Sequence, residues 1–355
     1  MRGGRITRGF AVLLAAVMLT LGPDTVASSG VSTSVAPPNS SPLFSVSRAL
    51  RLDTDGSNPS FVAAGNDSMF VVGTFDQLNR RTDDLIRIDL RSWRIAAAAR
   101  FPNVTSVAFG DGALWWATGQ DAFDIPAPNS GRALLKIDPT TLRRVSTFIL
   151  PDRTLQVTVA GTSLWVATPT TLFKVDPESG RVLVKFSLGF SPIEMTPSGD
   201  GAYLDVLGSK GSREFVTVFD ATSGRRVAQR LIPGATGGPL ATTAQGVWVA
   251  TDNVNSKTAT ARYYYGDQLV PSVARGHYPF DTSLYRGIGV IWSVDSGGLG
   301  STECLAQSSG RVRATGGPLG VGSGSLATFG GRTFLLFDRD LTDYFLRVTP
   351  SKSCD

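Results

Sequence analysis

Residues 155–190 read LQVTVAGTSLWVATPTTLFKVDPESGRVLVKFSLGF, and they hold one complete structural unit. Leu155, Val157 and Val159 alternate with polar neighbours, as in a strand with one buried face. The turn Ala160-Gly161-Thr162 follows, then Leu164 to Thr168, Leu172 to Asp176, a turn over Pro177 to Gly180, and Val182 to Leu188. These are four short runs of β-branched and aromatic residues separated by turn residues. Four antiparallel strands make a small sheet with two faces to cover, so the unit needs copies of itself on either side.

The copies are present. The first hairpin recurs at Gly65-Asn66-Asp67, Gly110-Asp111-Gly112, Ala160-Gly161-Thr162, Gly199-Asp200-Gly201, Gln245-Gly246, Gly287-Ile288-Gly289 and Gly330-Gly331. The spacing of roughly 40 to 50 residues is that of propeller blades. A second mark, the hairpin between third and fourth strands, reads Ile88-Asp89-Leu90, Ile137-Asp138-Pro139, Val175-Asp176-Pro177 and Phe219-Asp220-Ala221, and decays thereafter. An Asp at the first turn position can bond backbone two residues on, which gives this mark a backbone reason. The copy around Tyr263 to Val270 is the hardest to register.

These residues predict an all-β, seven-bladed β-propeller of four-stranded antiparallel blades over residues 43–355. The last copy, Leu326 to Thr349, supplies three strands, so Phe44, Val46, Leu50 and Leu52 are expected to form the outer strand of the last blade and close the ring. The G-x-LWVAT…L-x-K-[IV]-D-P-x-[ST]-G-R-V pattern resembles the blades of YVTN, NHL and quinoprotein-like repeat proteins. That resemblance implies the architecture and leaves function open, since binding modules, lyases and dehydrogenases share it.

Arg2, Arg5 and Arg8, an apolar run from Phe10 to Leu21, and Thr25-Val26-Ala27 read as a secretory signal over residues 1–27, implying a secreted, extracellular protein. The apolar run, about 12 residues, is short for a membrane span, and no later run is long enough to cross one. Residues 28–42, SSGVSTSVAPPNSSP, have the composition of a flexible spacer. Removing the signal takes three Arg and one Asp from the formal charge of +5 and leaves +3, with Lys and Arg scattered through the blades. No nucleic-acid partner is expected from that distribution. Cys304 and Cys354 are the two cysteines, and in an exported chain they are expected to pair; two free thiols are the alternative.

The one histidine, His277, leaves no His-pair metal site, and no G-x-S-x-G, HExxH or phosphate-loop motif is present. Streptogramin lyases have similar blades and use a metal near a Glu and a His; that resemblance would point to His277 and Glu303 as catalytic candidates at the channel mouth. The second His is absent here, and no cofactor or metal is expected. Trp115, Trp116, Trp165, Trp248 and Trp292 all fall in second strands, so repetition at one register assigns them to packing rather than to a ligand; Trp93 lies in a turn and is expected to be exposed.

Three connections between second and third strands are long: Thr74 to Asp84, Gly119 to Arg132, and Asp252 to Arg262. Insertions gathered on one face of a repeat protein usually build its binding surface, although exposure alone also lets loops vary. Asp76, Arg80, Arg81, Asp83, Asp121, Phe123 and Asp124 are the candidate contacts, with Tyr264 and its neighbours Tyr263 and Tyr265 adding flat area. The expected function is a monomeric, non-catalytic binding module for a protein, peptide or cell-envelope ligand. A propeller lyase or hydrolase is the alternative.

Overall fold

The computed structural model describes residues 43–52, 58–65, 67–74, 82–102, 104–119, 129, 131–232, 235–251, 259–264, 271–275, 282–295, 302–307, 312–316, 324–339 and 342–354. The proposed signal and spacer lie outside them. In chain order, β1 (Phe44–Leu52) precedes the first repeat. Sheet one is β2 (Asn58–Gly65), β3 (Ser68–Thr74), β4 (Thr82–Asp89) and β5 (Arg94–Pro102). Sheet two is β6 (Val104–Gly110), β7 (Ala113–Thr118), β8 (Ala133–Ile137) and β9 (Arg144–Ile149). Sheet three is β10 (Gln156–Ala160), β11 (Ser163–Ala167), β12 (Thr171–Val175) and β13 (Val182–Ser187). Sheet four is β14 (Ser191–Pro197), β15 (Tyr203–Lys210), β16 (Arg213–Asp220) and β17 (Arg226–Ile232). Sheet five is β18 (Ala235–Thr242), β19 (Gly246–Thr251), β20 (Ala259–Tyr264) and β21 (Pro271–Arg275). Sheet six is β22 (Thr282–Arg286), β23 (Val290–Asp295), β24 (Thr302–Ala306) and β25 (Val312–Gly316). The last is β26 (Gly324–Phe329), β27 (Arg332–Arg339) and β28 (Thr342–Pro350), with β1 outermost in the order β1-β28-β27-β26.

The chain is therefore an all-β propeller with four-stranded antiparallel blades. First strands of successive sheets adjoin: β2 beside β6, β6 beside β10, β10 beside β14, β14 beside β18, β18 beside β22, β22 beside β26, and β26 beside β2. In β1, Phe44 pairs with Pro350 and Leu52 with Asp343. A short 3₁₀ turn, Lys352–Cys354, ends the described chain, and Cys304 of β24 is disulfide-bonded to Cys354.

Each sheet presents one face to the preceding sheet and one to the next, so second strands are largely buried; β7 and β11 are buried at every position. One register position repeats around the molecule. It is Phe70, Trp115, Trp165, Trp248, Trp292 and Phe334, and the residue across from it on the third strand is Arg87, Lys136, Lys174, Arg262, Cys304 and Arg347 respectively. Lys136 lies over the Trp115 ring at 5.4 Å, and its Nζ donates to the Pro177 carbonyl at 3.1 Å in the next sheet. Lys174 repeats the device over Trp165, donating to the carbonyl of Thr222. A cation therefore ties the aromatic of one blade to the turn of the next.

Those turns are built alike. Asp89, Asp138, Asp176 and Asp220 each accept at Oδ1 from the backbone N–H and hydroxyl of the Ser or Thr three residues on, and these bonds hold all four carboxyls below the usual range. The fourth residue after each Asp takes positive φ: Trp93 at 59°, Leu142 at 53°, Gly180 at 68° and Gly224 at 74°. Only two of the four are glycine. Trp93, expected to be exposed, is half-buried; its ring stacks on Phe345 at 5.1 Å and Phe334 at 6.3 Å. The turn delivers it into the gap before the preceding sheet rather than into solvent.

Candidate functional site at the inner strands

Of the residues singled out in the sequence, Asp76, Arg80, Arg81, Asp121, Phe123, Asp124 and His277 lie outside the described residues. Asp83 and Tyr264 lie on strands, not in loops. Asp83 pairs with Thr74 across β3 and with Phe101 across β5, and Tyr264 pairs with Gly246, because the hairpin ladders run further than turn composition suggests. The connections are correspondingly narrower, 75–81 between β3 and β4 and 252–258 between β19 and β20.

Glu303 sits in the body of β24, opposite Ser293 and Thr315, and is 7% exposed. Thr315 Oγ1 donates to its Oε1 at 3.4 Å, while Oε2 has no partner among the described residues. Burial raises its pKa. A carboxyl enclosed by a sheet is poorly placed to meet a substrate at a channel mouth. Among the described residues, no three His, Cys, Asp or Glu side chains gather as a metal site.

What the sequence reading missed is a polar relay along the first strands. Ser106 on β6 bonds both ways to Val157 on β10, its Oγ accepting from the N–H at 3.1 Å and donating to the carbonyl at 3.3 Å. Gln156 on β10 donates through Nε2 to the Ile193 carbonyl on β14 at 2.7 Å. Glu194 on β14 accepts from the Leu240 N–H on β18 at 2.7 Å through Oε2, and from Thr196 Oγ1 at 3.3 Å through Oε1. β6, β10 and β14 thus each reach the next first strand with one side chain. β-Bulges in β6 and β14, at Val104/Ser106 and Pro192/Glu194, leave backbone groups outside the ladder and re-aim these side chains sideways. A signal existed: Ser106, Gln156 and Glu194 interrupt otherwise apolar or Thr-rich first strands.

Glu194 is the chemically distinctive member. Enclosure by protein pushes its pKa up to about 7, against the lowering effect of the Leu240 and Thr196 hydrogen bonds. The side chain is nevertheless half-buried rather than sealed, so solvent reaches part of it and it can exchange a proton near neutral pH. Beside it, the repeating aromatic is missing: Asp205, fully buried, occupies that register in sheet four, with Val218 across from it in place of a cation. Glu214, two pairs further along the same face, is also raised by burial. Sheet four therefore turns Glu194, Asp205 and Glu214 toward sheet five where its counterparts turn aromatics and cations.

No family model and no curated protein matches this sequence. Solved structures match in fold. Hydrazine synthase of Kuenenia stuttgartiensis is similar with a TM-score of 0.64 at 12% identity, over 86% of this chain and 98% of that one. The Pan2 WD40 domain of Neurospora crassa gives 0.60 at 10% identity, covering 86% and 95%. BamB from Moraxella catarrhalis gives 0.51 at 14% identity, covering 86% and 97%. At these identities the likeness is one of fold.

Proposed function

We propose that this protein is an exported, closed seven-bladed propeller that works as a non-catalytic interaction module, binding a protein, peptide or cell-envelope ligand through its second-to-third strand connections. The observation that carries the reading is how the described polar groups are engaged. Turn aspartates hold turns, Lys136 and Lys174 hold the next sheet, and Glu303 is enclosed, so the sheets form a rigid frame. Sequence variation is concentrated instead in the segments leaving one end of that frame: 75–81, 119–132 and 252–258, against 168–170 in the plainest unit. Binding residues on loops held by a rigid scaffold are the usual arrangement. The pairing of β1 with β28, and of β26 beside β2, supports ring closure, and the fold likeness to WD40 domains supports interaction as the role. The YVTN/NHL-like blade pattern is consistent with the same reading.

The test is capture of partners from culture supernatant and cell envelope by residues 28–355, beside Arg80→Glu/Arg81→Glu and Asp121→Lys/Asp124→Lys variants. A partner held by the parent and lost by the charge-reversed proteins, with unchanged melting temperature, is expected. Equal capture by all three would remove this face from consideration. A turnover abolished by His277→Ala would favour the lyase or hydrolase reading.

A further inference from the structure

Between sheet six and the last sheet, at the end carrying the first hairpins, lies a cleft of about 320 Å³. Ile288, Val290 and Trp292 form one wall, Thr333, Val348 and Pro350 the other, and Cys354 contributes the disulfide side. Val290, Trp292, Thr333, Val348 and Cys354 are all at most 3% exposed, so the walls are parts of the core rather than mobile loops. The volume suits a molecule of roughly ten non-hydrogen atoms, at the low end of the usual range of ligand pockets.

Two guanidinium groups give the cleft a chemical preference. Trp292 is 0% exposed and walls the cleft with its ring, while its indole Nε1 packs against Gly287, where a Cβ would meet it at 2.5 Å, and is covered by that turn rather than open to the cleft. Arg332 borders the cleft immediately after the Gly330-Gly331 turn; it is exposed and makes no ion pair among the described residues. Arg347 lines the same cleft from β28, beside Val348.

We propose that this cleft is a binding site for a small carboxylate with a flat or short apolar body. The body would pack between Val290, Val348, Pro350 and the disulfide, and the carboxylate would take the Arg332 and Arg347 guanidinium groups. The site is distinct from the loop face and uses none of its residues.

The probe is 4-methylbenzoate, with 4-methylbenzyl alcohol as the neutral analogue of the same body, both titrated calorimetrically and by ligand-observed NMR against residues 28–355. The carboxylate is expected to bind about tenfold more tightly than the alcohol, the size of one charge-assisted hydrogen bond. Arg332→Ala combined with Arg347→Ala should bring the two to equal affinity, and Ile288→Trp, on an exposed turn where folding is safe, should block both. Absence of binding at millimolar probe, equal affinities in the parent, or binding untouched by Ile288→Trp would each overturn the proposal.

Discussion

At the scale of single residues, Glu194 is where the fold meets pH. A carboxyl raised from 4.5 to about 7 binds its proton more tightly in the folded chain than in the unfolded one. Its contribution to stability is therefore complete below about 4.5 and is lost as pH rises through about 7. Because solvent reaches part of the side chain, the loss is on the order of 2 kcal/mol rather than the full value of the shift. Glu194→Gln keeps an oxygen for the Leu240 N–H and cannot ionise. The variant should be more stable than the parent at pH 8 and no more stable at pH 4, measured by chemical denaturation; parallel pH profiles would show that Glu194 does not titrate in this range. The turn aspartates have the opposite sign. Asp89, Asp138, Asp176 and Asp220 are lowered, so what they contribute is present above the ordinary carboxylate pKa and is lost as acid is added.

At the scale of elements, the spaces between sheets explain substitutions that look irregular in the sequence. Phe148 on β9 fills the gap against the next turn, where a Cβ on Gly180 would meet it at 2.1 Å; Phe186 on β13 does the same against Gly224. Ala99 stands at the equivalent place on β5, opposite Leu85, and there the turn supplies Leu142, 3% exposed in the same cluster. In these three gaps the filler comes from the outgoing strand or from the incoming turn, as close packing requires. Leu142→Gly should relieve its left-handed φ yet cost about 2 to 4 kcal/mol through the cavity. Adding Ala99→Phe should recover much of that loss, while Ala99→Phe alone should destabilise by overpacking. Additive effects in that double-mutant cycle would refute the exchange. Lys174 acts at the same scale. Lys174→Met keeps its stem on Trp165 and loses the bonds to the next turn, so a cost of about 1 kcal/mol is expected, and the cost should be insensitive to salt because the acceptors are carbonyls.

At the scale of the whole molecule, both ends of the described chain are bound to the repeats. β1 pairs along β28, and the Cys304–Cys354 bond closes 50 residues, joining the C-terminal turn to sheet six. Replacing both cysteines by serine should lower stability by on the order of 4 kcal/mol in the chain-entropy account. Thermal melting with and without reductant should reproduce that difference in the parent and abolish it in the double variant. The four-strand unit, the turn positions, the outer placement of β1 and the disulfide were all legible in the sequence, because they rest on period-two alternation, turn residues that tolerate positive φ, a last copy one strand short, and an even cysteine count. Where reading stopped was at relations between copies. The sequence shows the turn that carries Trp93 but not the Phe334 and Phe345 rings of another sheet that cover it. The relay through Ser106, Gln156 and Glu194, the bonds from Lys136 and Lys174 to the next turn, and the cleft beside Trp292 likewise join residues roughly 40 or more positions apart. The sequence by itself determined the repeating sheet, since a sheet needs only near neighbours to form; the tertiary structure alone decided which side chains meet between sheets, since burial, pKa and cavity shape depend on the faces that stacking brings together.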